Sequence, residues 1–338
     1  MVFLAIMSQN NCVLTGIKPT GHPHLGNYFA AIQPGLEGIS ADQEAYFFIA
    51  DYHALTTLKN ATDMRELSLE IAYTWLACGL DPKQHCFYRQ SDIPEILELN
   101  WILNCFTPKG LLNRGHAYKA LVDENLSAKR DPDQNINTGH FSYPVLMAAD
   151  IVAFDCTTVP VGQDQKQHVE MARDIAQTLN HHFPDTLVIP TPQIAEHVKT
   201  IPGLDGRKMS KNYGNTIPLF MDKDKMKKLV MKIKTDSTPL EAPKDPENCP
   251  VLGLFQCVAS EKAVSEMKNS YLEGGKGYGH YKTELFEALD AHIAPLKEQY
   301  DTLKADPSQV QAILKTGAEK AREKASATLN RVKTALGL

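Results

Sequence analysis

The chain has 338 residues and a formal net charge of −5, with 43% hydrophobic and 22% charged residues. This length suits two domains, and the composition is typical of a soluble globular protein without a membrane-spanning segment. Bulk charge does not indicate a nucleic-acid partner, which would need a local basic face.

The first residues and the cysteines point to the cytoplasm. Residues 1–7 are apolar but lack the basic segment that begins a secretory signal, and Met7 offers an alternative start. Seven cysteines are scattered with no CxxC pair, which is typical of reduced thiols. His181 and His182 have no further ligands at metal spacing, so the sequence predicts no metal site.

The first part of the chain predicts an α/β fold. Runs rich in branched and aromatic residues predict buried strands at 12–17, 45–51 and 86–91. Between the last two, residues 62–79 have the spacing and the end signals of an amphipathic helix. Strands that alternate with helices predict a doubly wound parallel sheet, whose ligands bind just after the strands.

In the segment after the first strand, TGIKPTGHPHLGN, residues His24 to Asn27 open a predicted helix that continues through NYFAAIQ to residue 33. The free N–H groups and the dipole of a helix N-terminus suit an anion. His24 and Asn27 can donate to phosphate oxygens, and Gly26 lets a flat ring approach the backbone. A surface loop with an ordinary histidine would show the same residues.

The run FSYPVLMAADIVAF, residues 141–154, predicts a helix that begins near Pro144. Tyr143, Met147 and Asp150 fall at i, i+4 and i+7 on one face. A buried carboxylate needs a partner, so Asp150 either forms a structural ion pair with Arg or Lys or accepts from a ligand. Tyr143 and Met147 suit a flat apolar body beside it.

A fourth strand is predicted at 157–161, with a helix after it. Gly162, Gln163, Asp164 and Gln165 follow its carboxyl end, where ligands are expected. Asp164 either accepts from ribose hydroxyls or caps the helix. Gln165 can donate and accept at an amino-acid head group.

The stretch GRKMSKNYGN, residues 206–215, places Lys208 and Lys211 between glycines. It is either a solvated basic loop or a mobile clamp that brings positive charge to a departing phosphate group. No GxxxxGK[ST] phosphate loop occurs in the chain.

The last part of the chain predicts an all-helical unit. A proline-rich segment at 238–250 precedes sequence rich in Ala, Lys and Glu. In GAEKAREKASATLNRVKTALGL, apolar residues recur at helical spacing with basic residues on the other face.

Two motifs in this order resemble the class I aminoacyl-tRNA synthetases. They are a HIGH-like turn, His24-Leu25-Gly26-Asn27, and a KMSKS-like loop, Lys208-Met209-Ser210-Lys211-Asn212. YPVLMAAD, VGQDQKQH and the helical tail look like the tryptophanyl-tRNA synthetases in particular. The resemblance covers nearly the whole chain. It implies a Rossmann-type catalytic domain at 1–215 and a helical, anticodon-binding region at 216–338.

The resemblance also implies the site residues. The implied catalytic residues are Lys208, Lys211, His24 and Asn27. The implied ATP-binding residues are Lys18, Pro19, Thr20, Gly26, Asn27, Gly162, Gln163, Asp164, Ile201, Lys208, Met209, Ser210, Lys211 and Asn212. The implied tryptophan-binding residues are Asp150 at the indole N–H, Met147 against the ring, Tyr143 and Gln165 at the head group, and His53 nearby.

The implied reaction activates tryptophan with ATP and Mg²⁺, without a prosthetic group, and then charges tRNA(Trp). The family is a cytoplasmic homodimer, and each tRNA spans both subunits. The alternatives are a tyrosyl-tRNA synthetase, which usually has Gln where Met147 stands, a small-molecule adenylating enzyme of the same superfamily, and a non-catalytic paralogue that senses nucleotide or tRNA.

Three positions depart from the family pattern. Lys18 stands where Gln is typical, Leu14 where an aromatic residue is typical, and Asn212 where Ser is typical. These departures concern the shape of the indole and ATP pockets and leave the implied reaction unchanged.

Overall fold

A parallel sheet organises the residues that the computed structural model describes, which are 12–40, 43–162, 165–194 and 200–338. Its strands are β1 (Cys12–Ile17), β2 (Glu44–Ile49), β3 (Cys86–Arg89), β4 (Thr158–Val161) and β5 (Thr191–Ile194). They lie in the order β3-β2-β1-β4-β5, and each neighbouring pair is parallel. The predicted doubly wound sheet is confirmed, although β5 was not predicted. Gln163, Asp164 and the alternative start at Met7 lie outside the described residues.

Helices surround the sheet and fill the C-terminal part of the chain. Those up to β4 are α1 (Leu25–Asn27), α2 (Gln33–Glu37), α3 (Asp51–Ala54), α4 (Ala61–Ala77), α5 (Pro94–Phe106), α6 (Lys109–Leu112), α7 (His116–Ser127) and α8 (Thr138–Val152). The later helices are α9 (Lys166–His182), α10 (Lys223–Met231), α11 (Pro250–Phe255), α12 (Glu261–Glu273), α13 (Tyr278–Ala305) and α14 (Pro307–Leu336). None of these described helices has the length and the apolar content that crossing a membrane requires.

One predicted helix agrees with the structure at its start and another does not. The helix that His24 to Asn27 were expected to open begins at Leu25 as α1 and continues through a π-helical turn, Tyr28–Ile32, into α2. Helix α8 begins at Thr138, and the predicted start near Pro144 is wrong. The reason is a reciprocal cap: the Asn137 side chain accepts from the His140 N–H at 3.1 Å, and His140 Nδ1 accepts from the Asn137 N–H at 3.2 Å. This cap starts the helix before Pro144, which therefore lies in its interior.

Side chains of the strands alternate between two hydrophobic clusters, one on each face of the sheet. On β2, Phe47 and Ile49 belong to the cluster that includes α4 and α13. Tyr46 and Phe48 belong to the cluster that includes α5, α8 and α9. This alternation is expected when both faces of a parallel sheet are covered by helices. Leu14 of β1 lies in the second cluster and is buried.

The last helix packs directly on the sheet. A Cβ on Gly317 of α14 would lie 1.8 Å from the Phe87 carbonyl oxygen of β3, so the helix backbone touches the edge strand there. Arg322 forms an ion pair with Glu95 at 2.9 Å. The C-terminal helical region is therefore attached to the sheet by both packing and charge.

Candidate functional site

The topology locates the ligand crevice. Strand order reverses between β1 and β4, since β2 and β3 lie on one side and β5 on the other. Ligands of doubly wound sheets bind at such a switch point, outside the carboxyl ends of the strands. Lys18 follows β1 and Gly162 follows β4, so both lie at this crevice.

The HIGH-like turn is a capped helix start. His24 Nδ1 accepts from the Asn27 N–H at 3.3 Å, and Asn27 Oδ1 accepts from the His24 N–H at 3.1 Å. Because Nδ1 accepts, the ring proton is assigned to Nε2. Burial, followed by the charge of Lys211, lowers the pKa of His24 to about 4. The ring is therefore neutral at physiological pH and offers a donor, Nε2–H.

The two signature motifs are in contact. The Gly26 N–H lies 3.2 Å from Met209 Sδ, and the Met209 N–H donates to the Ile201 carbonyl at 2.8 Å. The Leu25 N–H donates to the Ile217 carbonyl at 2.9 Å. A Cβ on Gly26 would lie 3.1 Å from the Met209 Cβ, so glycine permits this close approach. Ile201 is buried behind the contact.

The two lysines of the loop have different environments. Lys211 Nζ lies 2.8 Å from the position that a Cβ on Gly21 would occupy, so the ammonium packs over the glycine turn. Desolvation there lowers the pKa of Lys211. Lys208 is exposed, and its carbonyl accepts from the Asn215 side chain at 3.1 Å. Both lysines are exposed, and the structure places the Lys211 ammonium at the glycine turn that precedes the HIGH-like turn.

Asn215 orders the base of the lysine loop. It is 2% exposed. Its Oδ1 accepts from the Ser210 N–H at 2.8 Å, and its Nδ2 donates to Asp205 Oδ1 at 2.6 Å. The hydrogen bond from Asn215, followed by those from Arg207, lowers the pKa of Asp205 to about 2. Sequence analysis missed this role, because nothing in the sequence distinguishes Asn215 from a solvent-exposed loop residue.

Asp150 is fully buried, and its side chain has two hydrogen-bond partners, the neutral amide of Gln90 and the imidazole of His53. Gln90 Nε2 donates to Oδ1 at 2.7 Å and to Oδ2 at 2.9 Å, and His53 Nε2 lies 2.9 Å from Oδ2. Neither an arginine nor a lysine is paired with Asp150 among the described residues. Burial raises the pKa of Asp150, and the contacts with His53 and Gln90 oppose that rise. Among the described residues, Gln90 is the one hydrogen-bond donor to Oδ1, and a carboxylate oxygen can accept a second hydrogen bond.

Gln90 fixes the orientation of this carboxylate. Its Oε1 accepts from the N–H groups of Tyr52, at 3.1 Å, and His53, at 3.3 Å. Because the oxygen is occupied by backbone donors, the amide nitrogen must face Asp150. Sequence analysis missed Gln90, although its place directly after β3 was a signal.

A hydrogen-bonded chain leads from α8 to α9. The Tyr143 hydroxyl bonds to His168 Nε2, and His168 Nδ1 lies 3.0 Å from Gln165 Oε1. Burial raises the pKa of Tyr143 to about 12. The chain brings together Tyr143 and Gln165, which were both expected at an amino-acid head group, and His168 is a link that sequence analysis missed.

A cavity of about 160 Å³ opens beside these residues. Its lining is Tyr52, His53, Leu55, Thr56, Asn100, Asn137, Gly139, Ser142, Tyr143 and Leu146. Lys18 Nζ donates to Thr56 Oγ1 at 2.9 Å, and burial lowers the pKa of Lys18. Lys18, expected at ATP, therefore also lies at the rim of this cavity. Met147 and Asp150 are not part of its lining.

The other expected residues are spread around the crevice. Pro19 is buried and Thr20 is exposed in the glycine turn. The Gly162 carbonyl accepts from the Gln165 N–H at 2.9 Å. Asn212 is exposed in a short 3₁₀ turn, so its side chain has no packing role in the loop.

Comparison with known proteins gives consistent matches. A family model described as "tRNA synthetases class I (W and Y)" matches residues 8–294. A tryptophan–tRNA ligase of Pseudomonas aeruginosa is 48% identical over 330 residues, which cover 96% of this chain and 73% of the relative. The corresponding ligase of Neisseria meningitidis is 46% identical over 328 residues, covering 96% of this chain and 97% of the relative.

Solved structures agree. The tryptophanyl-tRNA synthetase of Campylobacter jejuni, complexed with ADP and tryptophan, matches with a TM-score of 0.88 and 41% identity, covering 97% of this chain and 100% of that chain. A tyrosyl-tRNA synthetase of Archaeoglobus fulgidus matches with a TM-score of 0.64 at 18% identity, covering 87% and 91%, and shares the fold. The chain therefore belongs to the class I tRNA synthetases of the tryptophan and tyrosine family.

Proposed function

We propose that the chain is a tryptophan–tRNA ligase. It activates tryptophan with ATP to give tryptophanyl-adenylate and pyrophosphate, and then transfers the tryptophanyl group to tRNA(Trp). The 46–48% identity to proteins that bear this name supports the reaction. The observation that supports tryptophan as the amino acid is the buried carboxylate of Asp150, whose Oδ1 accepts one hydrogen bond, from Gln90, among the described residues.

The surroundings of Asp150 suit an indole N–H. Gln90 and His53 hold the carboxylate in place, and Oδ1 has only the Gln90 donor. A substrate without an N–H at this edge leaves a buried acceptor unpaired, which a binding site rejects strongly. Tyr143 and Gln165, joined through His168, are our candidates for the amino-acid head group.

The chemistry of activation needs positioning and positive charge. The tryptophan carboxylate attacks the α-phosphorus of ATP, the bond to the β-phosphate oxygen breaks, and pyrophosphate leaves. The attacking carboxylate is already a nucleophile, so no general base is required. Lys211 beside the turn and His24 Nε2–H supply a cation and a donor for the phosphates. Lys208, exposed in the same loop, becomes a ligand only if the loop closes.

Mg²⁺ belongs to this proposal as a companion of the nucleotide. Within the described residues, no cluster of three or more His, Cys, Asp or Glu side chains is arranged to hold a metal ion. The phosphate-facing side chains are instead cationic or neutral donors, Lys211 and His24. They fit an incoming Mg²⁺–ATP complex in which the phosphates hold the metal.

The assignment of regions and partners is part of the same proposal. Residues 1–215 form the catalytic unit with the lysine loop, and 216–338 bind the anticodon end of the tRNA. The enzyme works in the cytoplasm as a homodimer. Two exposed apolar side chains one turn apart on α5, Leu97 at 38% and Trp101 at 70% exposed, support the dimer, since such exposed apolar surface is typical of interfaces.

Amino-acid-dependent exchange of pyrophosphate into ATP tests the function without tRNA. We expect exchange with tryptophan and none above background with tyrosine. Exchange with tyrosine would identify a tyrosyl-tRNA synthetase. Exchange with neither amino acid, together with retained tRNA or nucleotide binding, would identify a non-catalytic paralogue. Exchange with tryptophan but no charging of tRNA(Trp) would identify an adenylating enzyme with another acceptor.

A further inference from the structure

The segment that follows the lysine loop concentrates positive charge on an acidic protein. Residues 223–234 contain six lysines and one aspartate, whereas the whole chain has a net charge of −5. All six lysines are exposed. Bulk charge does not indicate a polyanion partner, but this local face has the composition that such a partner requires.

Three of these lysines lie on one face of α10. The helix buries Met226 and Val230 against the protein. Lys225, Lys228 and Lys232, at i, i+3 and i+7, fall together on the solvent side and span about 10 Å along the axis. We call these three residues the lysine stripe.

The lysines nearer the buried side have partners. Lys223 forms an ion pair with Asp290. Lys227 Nζ lies 5.5 Å from the centre of the Phe286 ring, in a cation–π contact. In the part of the chain that the structure describes, no residue of the lysine stripe forms an ion pair. Their charges are therefore available to an external anion.

The basic residues of α14 differ in this respect. Lys324 and Arg331 are both bonded to Asp155, and Lys333 pairs with Glu98 at 2.6 Å. With Arg322, four of the six basic residues of this helix already neutralise carboxylates of the sheet region. The sequence suggested a basic face on the tail, but most of that charge attaches α14 to the rest of the protein.

The position of α10 ties it to the reaction site. The Lys234 N–H donates to the Leu204 carbonyl at 2.7 Å, at the base of the lysine loop. Before α10, the Leu219 N–H donates at 3.0 Å to the carbonyl of Pro23, which directly precedes the HIGH-like turn. The chain before and after α10 is thus bonded to residues that lie next to the two signature motifs, so α10 lies close to the reaction site.

We propose that the lysine stripe binds backbone phosphates of the tRNA. This rests on the proposed function, because it places the same substrate on a further surface. Lysine contacts to phosphates act independently of sequence and release condensed counterions. The stripe therefore contributes affinity and salt dependence, and base-specific selection of the tRNA comes from elsewhere.

The test compares neighbouring lysines of one helix. Variants Lys228→Gln, Lys227→Gln and the triple Lys225→Gln/Lys228→Gln/Lys232→Gln are assayed for tRNA(Trp) binding from roughly 50 to 200 mM KCl. We expect Lys228→Gln to reduce the slope of log affinity against log salt by roughly 0.7–0.9, and the triple variant by roughly two to three. Lys227→Gln, whose charge lies on the Phe286 ring, should change the slope by much less.

Activation without tRNA provides the control for folding and for the proposed function. All variants should keep wild-type pyrophosphate exchange with tryptophan, while the triple variant shows a KM for tRNA raised on the order of 10-fold or more. An unchanged slope in the triple variant, or equal effects of Lys227→Gln and Lys228→Gln, overturns the proposal. Normal tRNA charging with lost binding to anionic lipid vesicles would assign the stripe to a membrane instead. Absence of exchange in the wild type contradicts the proposed function itself.

Discussion

At the scale of single residues, Asp150 is buried without a permanent cation beside it, and burial raises its pKa. Gln90 and His53 supply its hydrogen bonds, and the structural ion pair with Arg or Lys is absent from the described residues. Such a carboxylate keeps acceptor capacity for a ligand, whereas a bidentate arginine would occupy both oxygens. This favours the ligand-binding interpretation of Asp150 over the structural one.

Asp150→Ala should therefore change amino-acid selection. Loss of a hydrogen bond to a charged group is worth about 1.5–3 kcal/mol, so we expect kcat/KM for tryptophan to fall by roughly 10- to 150-fold. The preference for tryptophan over its benzothiophene isostere, which has no ring N–H, should fall as well. Both kcat/KM values are measured together with thermal melts. A lower melting temperature with an unchanged ratio would show that Asp150 has only a structural role.

Lys211 should act on the chemical step. Its ammonium lies against the Gly21 turn near His24, where the proposed function places the charge that develops as pyrophosphate leaves. Removing one such stabiliser typically costs roughly 3–4 kcal/mol of barrier. Lys211→Ala should thus slow single-turnover activation strongly with a modest change in ATP affinity. Lys262→Ala, on the exposed side of α12, is the control and should change neither the activation rate nor the ATP affinity. Lost ATP binding with a wild-type rate would refute this role.

His24 should make stability depend on pH. Its pKa is about 4 in the folded protein, against an ordinary value of 6.5 for an unfolded chain, so between these values the unfolded chain binds a proton that the folded chain does not. The free energy of unfolding should then fall on acidification through this range, by up to about 3 kcal/mol. His24→Asn keeps an N-cap residue and removes the titration. Urea unfolding gives the free energy of unfolding of both proteins across this pH range, and the difference between them should shrink at low pH. If the two free energies changed with pH in parallel, the lowered pKa of His24 would be contradicted.

At the scale of elements, the docking of α14 depends on a residue without a side chain. A Cβ on Gly317 would lie 1.8 Å from a backbone oxygen of β3, which cannot move like the end of a flexible side chain. Gly317→Ala should therefore destabilise the protein by about 1–3 kcal/mol, as overpacking does. Gly279 of α13 has open space, so Gly279→Ala should be neutral or stabilising by up to about 1 kcal/mol. Urea unfolding checks both, and equal effects would contradict the packing argument.

Elements were predictable where local pattern decides them. The strand at 12–17 and the helix α4, with Asn60 as its cap, follow the sequence closely, because burial and capping leave a local signal. Strand β5 was missed, since a strand of four residues with a proline has little signal. The start of α8 was placed too late, because Pro144 suggested a first turn while the cap at Asn137 was stronger.

Site residues were predictable where a motif names them. His24, Lys211 and Asp150 belong to sequence patterns, and the structure places them at the expected edge of the sheet. Gln90 and His168 act through contacts across 60 and 25 positions of the chain, which no local pattern encodes. The roles of all these residues toward substrates remain predictions.

At the scale of the whole molecule, the basic residues of the C-terminal region fall into two groups. Those of α14 mostly form ion pairs within the protein, and those of the lysine stripe are proposed to bind tRNA. The C-terminal helices attach to the sheet region through ion pairs at Glu95, Asp155 and Glu98. Phe220, which follows the lysine loop, stacks on Tyr300 of α13 at 4.4 Å between ring centres, and the Tyr300 hydroxyl donates to Glu70 of α4 at 2.7 Å. These contacts attach the segment after the lysine loop to α13 and α4, so the charges that hold the helical region in place are separate from those of the lysine stripe.

An exposed apolar face on α5 makes the proposed dimer testable. Trp101 is 70% exposed, and Leu97, one turn earlier on α5, is 38% exposed. Tryptophan is enriched among the residues that contribute most to interface affinity, and a two-fold interface buries the same residues on both copies at once. Because the side chain is mostly exposed in a single chain, Trp101→Glu should not disturb the fold, and it should place two charges at the interface.

We expect the wild type to sediment at twice the mass of the chain and Trp101→Glu to sediment as a monomer, with unchanged circular dichroism. Leu272→Glu is the matched control, because Leu272 on α12 is 56% exposed and lies outside this face. It should remain dimeric, since a charge on an unpartnered surface costs little. If Trp101→Glu remained dimeric, the interface would have to lie on another face. If the wild type were monomeric, the proposed homodimer would be wrong. If each tRNA spans both subunits, the monomeric variant should also lose charging of tRNA more than it loses tryptophan activation.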